Sequence, residues 1–158
     1  MKNVYIALDN IRSLYNVGSI MRTASFFGFN KIILIGYSGT DFNFKGEKVL
    51  HPQLEKTSLG AEEHMEEIVF IENAEELYHF SKENNLKIVS IEQHEKSTYL
   101  KDYELEDNSI LVFGNEVKGV SEEILNMSKD IVEIKQIGKK NSLNVATTVG
   151  VVLGRISI

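Results

Sequence analysis

Six short, unbroken apolar runs separate longer stretches of helical periodicity, and this constrains the fold more than any other feature of the chain. The runs are Val4–Leu8, Lys31–Ile35, Ile68–Ile71, Lys87–Ile91, Ile110–Phe113 and Ile131–Ile134. Strands that are apolar throughout, rather than at every second position, must be covered on both faces, and that is the condition of a parallel sheet. Helices are predicted at about Val17–Phe27, Ala74–Asn84, Glu122–Met127 and Leu143–Ile156. Asn73 with Glu76 three residues on has the form of a capping box for the second, and Ser121 followed by Glu122 and Glu123 suits the start of the third. The expected fold is therefore α/β, a mostly parallel six-stranded sheet with helices on both faces. No repeat or Pro/Ser-rich linker interrupts the 158 residues, which are read as one domain.

The last helix carries two apolar stripes. Leu143, Ala146, Gly150 and Leu153 form one; Val145, Val149, Val152 and Ile156 form the other. So little polar face remains that burial on both sides is expected, one against the sheet and the other against the rest of the fold or a second copy in a homodimer.

Composition excludes several chemistries. There is no Cys, which removes a disulfide framework, thiol catalysis and Cys-ligated metal, and which fits a reducing cytoplasm. His51, His64, His79 and His94 lack H-x-x-x-H spacing, so no metal site is expected. No G-x-S-x-G elbow and no G-x-G-x-x-G follows a strand. The opening apolar run is far too short for a signal or membrane-spanning segment.

The net charge of −6 argues at first against a nucleic-acid partner, but it is unevenly spread. Residues 1–60 carry +3, residues 61–134 carry −13 and residues 135–158 carry +4. A basic surface built from the two ends of the chain, from Arg12, Arg22, Lys139 and Lys140, is compatible with that total.

Three polar, Gly-bearing segments occur where a scaffold would be plain. Leu14–Ala24 follows the first strand, with Asn16 at the expected N-cap and Arg22 further into the helix. An Arg early in a helix opposes the macrodipole unless it meets an anion, such as a phosphate or a nearby carboxylate. Leu111–Ser121 ends a buried strand in Gly114-Asn115-Glu116 and reaches a helix through Gly119. Ligands of open α/β sheets sit beyond such strand ends, although a tight strand-to-helix connection has the same composition. Ile134–Val145 combines a strand end, a basic loop with Lys139 and Lys140, and a polar helix start with Ser142 and Asn144. Those last two also serve as plain caps in many helices.

In this order the strings N-V-G-S-I-M-R-T-A, F-G-N-E-V-K-G-V-S and N-S-L-N-V-A resemble the three motifs of the SPOUT methyltransferases, in the SpoU/TrmH branch. Segments Leu8–Ser13, Lys56–Glu62 and Ile91–Gln93 are also similar to that branch, so the resemblance spans nearly the whole chain. It implies methyl transfer from S-adenosylmethionine to a ribose 2′-hydroxyl of tRNA or rRNA. It also implies a C-terminal deep trefoil knot, an exception to the rule against knotted chains, and a homodimer formed through the knot and last helix.

By the same resemblance the cofactor contacts Ile91, Gly114, Asn115, Ile134, Ser142 and Leu143, and the catalytic set is Asn16, Arg22, Glu116, Ser142 and Asn144. Arg22 would act on the target ribose from its own or the opposite subunit. A guanidinium is a poor base, so charge stabilisation of the developing alkoxide is the better role for it. RNA would meet Arg12, Arg22, Lys139 and Lys140. The chain departs from the family in having Lys135-Gln136 where Pro-Met is common, which frees an N–H in the cofactor loop. An extra N-terminal RNA-binding domain, found in many larger relatives, is not expected here. Two other readings fit the same motifs: a non-catalytic knotted RNA-binding or ribosome-assembly dimer, and a base-nitrogen methyltransferase.

Overall fold

A computed structural model describes residues 2–158. The six expected strands are present as β1 (Val4–Asp9), β2 (Lys31–Ile35), β5 (Glu67–Ile71), β6 (Lys87–Ile91), β8 (Ser109–Phe113) and β9 (Asp130–Glu133). The sheet has seven strands rather than six, in the order β5-β2-β1-β8-β6-β9-β7, and every pairing in it is parallel. The added strand, β7 (Thr98–Tyr99), is a two-residue exposed edge that pairs only with β9. Two exposed residues carry no apolar run, so the pattern that marks buried strands cannot register them. A separate antiparallel hairpin, β3 (Thr40–Phe42) with β4 (Lys48–Leu50), follows β2 and was likewise not expected.

The helices are α1 (Leu14–Phe26), α2 (Leu54–Ser58), α3 (Ala74–Glu83), α4 (Glu122–Met127) and α5 (Val145–Ile156). Alternate residues of the central strands feed opposite layers. Ile6, Leu8, Ile32, Leu34, Leu111 and Phe113 are buried in one cluster with Val17, Ile20 and Met21 of α1, Leu54 of α2, and Val149, Val152 and Leu153 of α5. Tyr5, Ala7, Ile33, Ile35, Ile110 and Val112 are buried in the other with Leu77 of α3 and Ile124 and Leu125 of α4. Each buried Val, Leu, Ile, Met or Phe among them contributes about 1.5–3 kcal/mol by leaving water; Phe113→Ala would cost about 3–5 kcal/mol.

Three local expectations are corrected. The N-cap of α1 is Ser13, whose Oγ accepts from the Asn16 N–H at 3.2 Å; Asn16 lies one turn inside and is buried. Starting at Leu14 also puts Arg22 past the middle of α1, where the positive helix end no longer opposes it. The last helix begins at Val145 rather than Leu143, because Asn144 caps it by accepting from Ala146 and Thr147 N–H at 2.9 and 3.2 Å. Leu143 is left exposed before the cap. The Asn73 cap is present, accepting from Glu76 N–H at 3.1 Å.

α5 packs beside α1, where a Cβ at Gly150 or Gly154 would make only ordinary contact with Thr23 Cγ2 at 3.8 Å or Phe27 Cζ at 3.6 Å. Because all seven strands run the same way, the loops after β1, β2, β6, β8 and β9 gather at one edge. That edge holds the cavity.

Candidate active site

Glu116, in the loop between β8 and α4, ties the segments together. Its carboxylate accepts from the backbone N–H groups of Arg12 and Ser13 and from Asn16 Nδ2, each at 3.0 Å. Desolvation pushes its pKa up, but the Arg12, Asn16 and Ser13 donors outweigh that and hold it below the ordinary 4.5. Asn16 Oδ1 in turn accepts from Asn144 Nδ2 at 3.1 Å, while Asn144 Oδ1 caps α5. One chain of hydrogen bonds thus runs from the β8 loop through α1 to the start of α5, joining segments more than a hundred residues apart. Every lone pair used in it fixes a position, so Glu116 is an anchor rather than a free base.

The loop beneath this anchor is fixed as firmly. Asn115 Oδ1 accepts from Val117 and Lys118 N–H at 2.9 and 3.0 Å, and its Nδ2 donates to the Asn10 carbonyl at 2.7 Å and to Tyr37 Oη at 3.2 Å. Its backbone exchanges both bonds with Gly119. Gly119 takes φ +72°, and a Cβ there would meet the Glu92 carboxylate, which accepts from Val120 N–H at 3.1 Å. At Gly114 a Cβ would stand 2.1 Å from the backbone of Gly119 and Val120, so only glycine lets the loop close over the strand end.

Beside the anchor opens a cavity of about 760 Å³, within the roughly 300–1,000 Å³ of small-molecule sites. Of the expected cofactor contacts, Ile91, Gly114, Asn115, Ile134, Ser142 and Leu143 all line it, as do Glu116, Asn144, Lys139 and Lys140. The far wall is Lys135–Leu143. From Gln136 to Leu143 no backbone N–H has a protein acceptor among the described residues.

Arg12 is exposed at the rim, held through its N–H by Glu116. Asn16 lies behind the anchor. Arg22 does not line the cavity of its own chain; it is exposed on α1 and has no ion-pair partner among the described residues.

Sequence reasoning missed the support under the site. Asp9, buried, accepts from the Ser121 N–H at 2.8 Å, and Ser38 Oγ links the Leu8 carbonyl to the Ile11 N–H at 2.7 and 2.8 Å. Asn10 takes φ +52°, and its side chain occupies the space that a Cβ at Gly36 would need. The available signal was the Asp9-Asn10 pair standing directly at the end of an apolar strand. Among the described residues no group of three or more His, Cys, Asp or Glu is placed to hold a metal ion, and no helix is long and apolar enough to cross a membrane.

A parallel α/β sheet with a small-molecule cavity in the loops at its carboxyl edge defines a cofactor- or substrate-binding scaffold of the doubly covered class. The model of the SpoU rRNA Methylase family matches residues 3–154, and the chain belongs to that family. The tRNA (guanosine(18)-2′-O)-methyltransferase of Aquifex aeolicus is 26% identical over 96% of this chain and 67% of its own length. The SpoU methyltransferase AviRb from Streptomyces viridochromogenes, crystallised in complex with the cofactor AdoMet, superposes with TM-score 0.83 at 21% identity, over 99% of this chain and 57% of that one. A structure described as giving insights into the 2-OH methylation of C/U34 on tRNA superposes with TM-score 0.79 at 20% identity, over 98% of this chain and 94% of that one. Several curated relatives are longer, and the chain spans only about half of their length.

Proposed function

We propose that the protein is a cytoplasmic, S-adenosylmethionine-dependent RNA methyltransferase that modifies a ribose 2′-hydroxyl of tRNA or rRNA. The observation that carries this reading is the bond chain Glu116–Asn16–Asn144, which brings the three family motifs together at the rim of a cofactor-sized cavity. The relatives above, a tRNA 2′-O-methyltransferase and an AdoMet complex, support the same chemistry.

The cavity suits the cofactor. The unpartnered N–H groups of the 136–143 loop offer donors for adenine and carboxylate, and the apolar Ile91, Ile134 and Leu143 offer a surface for the ring. S-adenosylmethionine supplies there an electrophilic methyl group on a sulfonium centre. Glu116, Asn16 and Asn144, whose side-chain polar atoms are engaged with one another and with the α5 cap, hold the walls in position; Ser142 meets the nucleotide, and Arg12, Lys139 and Lys140 meet phosphates at the rim. A knotted threading of the 134–144 segment is part of this reading, as is a homodimer.

The position of Arg22, exposed and away from its own cavity, supports the dimer. Tyr15, Arg22 and Phe26 share one face of α1 at spacings of seven and four, and the two aromatics are 72% and 83% exposed. Val151 adds an exposed apolar position on α5, which packs beside α1. Covering this surface with a second copy sends Arg22 toward the partner's cavity. There its fixed charge stabilises the developing alkoxide, while a phosphate oxygen or water takes the proton.

Calorimetry with S-adenosylmethionine and transfer of labelled methyl to total RNA test the reading. Binding and transfer are expected from the wild type, with transfer lost in Arg22→Ala. Binding without transfer to any RNA would favour a scaffold instead.

A further inference from the structure

The hairpin β3–β4 has no part in the cavity, yet it is an ordered element that displays aromatic rings to solvent. Asn43 builds its tip: the Asn43 N–H donates to the Glu47 carbonyl at 3.0 Å, and Asn43 Oδ1 accepts from Lys45 and Glu47 N–H at 2.9 and 3.0 Å. At the base, the His51 N–H donates to the Gly39 carbonyl at 2.9 Å. On this frame Phe44 is 95% exposed and Phe42 61% exposed. Tyr37, at the foot of the hairpin, is also exposed, and its hydroxyl accepts from Asn115 in the loop that walls the cavity.

Phe44 is among the most exposed aromatic side chains, and it stands on a hydrogen-bonded turn rather than on a loose loop. The carboxylates nearby each accept from a neutral amide and keep their charge. Asp41 accepts from the Phe42 N–H and Glu47 from Asn43 Nδ2, both at 2.8 Å. Lys48 is paired with Glu72 at 2.6 Å, but the Lys45 ammonium has no ion pair among the described residues and lies 5.8 Å from the Phe44 ring centre. Phe42 and Phe44, separated by Asn43, offer two single rings with the Lys45 cation beside the second, unlike the continuous apolar area of a protein–protein interface. Stacking of bases on such rings beside a lysine is how proteins hold unpaired nucleotides without reading sequence.

The position agrees. Only β1 separates β2 from β8 in the sheet, so the foot of the hairpin and the cavity loop lie about 10 Å apart along one edge. The Tyr37 hydroxyl, held by Asn115, joins the foot of the hairpin to that loop.

Resting on the RNA methyltransferase reading above, we infer that Tyr37, Phe42 and Phe44 form a base-stacking platform, with Lys45 as its phosphate contact, for single-stranded nucleotides flanking the methylated one.

The test uses the full chain with fluorescein-labelled oligouridylate, followed by anisotropy at several salt concentrations, and methyl transfer to total RNA on the same samples. Phe44→Ala is expected to raise the oligouridylate Kd and the KM for RNA about tenfold, a low-end value for one lost stack, leaving kcat and S-adenosylmethionine affinity unchanged. Phe44→Trp restores binding and Phe44→Leu does not. Lys45→Ala lowers the slope of log Kd against log salt by about one, whereas Phe44→Ala leaves that slope alone.

An unchanged Kd, a rescue by Leu equal to that by Trp, or a change in oligomeric mass on Phe44→Ala would overturn the platform; the last would mark an interface between copies. A wild type that binds oligouridylate through Phe44 but methylates no RNA would leave the platform standing and defeat the methyltransferase reading alone.

Discussion

The two walls of the cavity are built on opposite plans. On the anchor side, Glu116, Asn16, Asn115 and Asn144 have their polar atoms assigned to named partners at 2.7–3.2 Å, and glycine sits where any side chain would collide with backbone. On the other side, Gln136–Leu143 is exposed chain whose backbone donors have no protein acceptor among the described residues. The difference teaches a division of labour. Groups that must hold geometry satisfy one another, and groups that must meet a ligand are left for it to satisfy. Arg22 stands outside both walls, bare on its own chain, which is why the account needs a second copy.

The comparison is broken most directly at Arg22. Arg22→Ala is expected to lower kcat for methyl transfer about 10²- to 10³-fold, the usual loss on removing one group that stabilises developing charge. S-adenosylmethionine affinity and melting temperature should not move. If an equal mixture of Arg22→Ala and Asn144→Ala chains regains activity above either alone, the Arg is supplied across the dimer.

The next effect concerns the anchor. Glu116→Ala leaves the Arg12, Ser13 and Asn16 donors without their acceptor and should cost about 1–2 kcal/mol in urea unfolding at pH 7, together with most of the activity. Its pH dependence has a defined sign. The folded carboxylate titrates below its ordinary 4.5, so its stabilisation is complete above that pH and is lost as pH falls through the folded value. The stability gap between wild type and Glu116→Gln should therefore be flat above about pH 5 and close under more acid conditions.

Asn144 separates structure from function more finely. Asn144→Asp keeps an acceptor for the Ala146 and Thr147 N–H groups but loses the amide that donates to Asn16. Stability should hold while activity falls severalfold. Asn144→Ala should lose both, with about 1 kcal/mol of stability from the missing cap. The smallest effect belongs to the open wall. Lys139→Ala and Lys140→Ala should leave stability unchanged and each reduce the salt slope of RNA binding by about one.

The anchor's residue types were legible in the sequence, but its connections were not. Continuous apolar runs such as Ile110–Phe113 announced parallel strands, and the Gly114-Asn115-Glu116 turn announced a strand-end site, because both signals are local. What Glu116 grips is non-local: no spacing rule links it to Arg12 or Asn16 about a hundred residues away. Asn16 was misplaced at the helix cap because Ser13 three residues earlier satisfies the same preference, and only tertiary contact with Glu116 decides which is buried. The β3–β4 hairpin was invisible for the opposite reason. Its Phe42 and Phe44 stand two apart, but the alternation ends there, and three-residue strands are too short to carry a pattern. Lys139 and Lys140 line the cavity and the Arg12 N–H is held by Glu116 beside it, so both basic ends of the chain reach the site, whereas Arg22 lies outside it.

The central claim is methyl transfer to a ribose hydroxyl at this cavity. It is tested most directly by incubating the protein with methyl-labelled S-adenosylmethionine and total RNA, hydrolysing the RNA with alkali and separating the products. The account predicts label in alkali-resistant dinucleotides, which only a blocked 2′-hydroxyl produces, and its absence with Arg22→Ala. Label released in mononucleotides would place the methyl on a base and contradict the account.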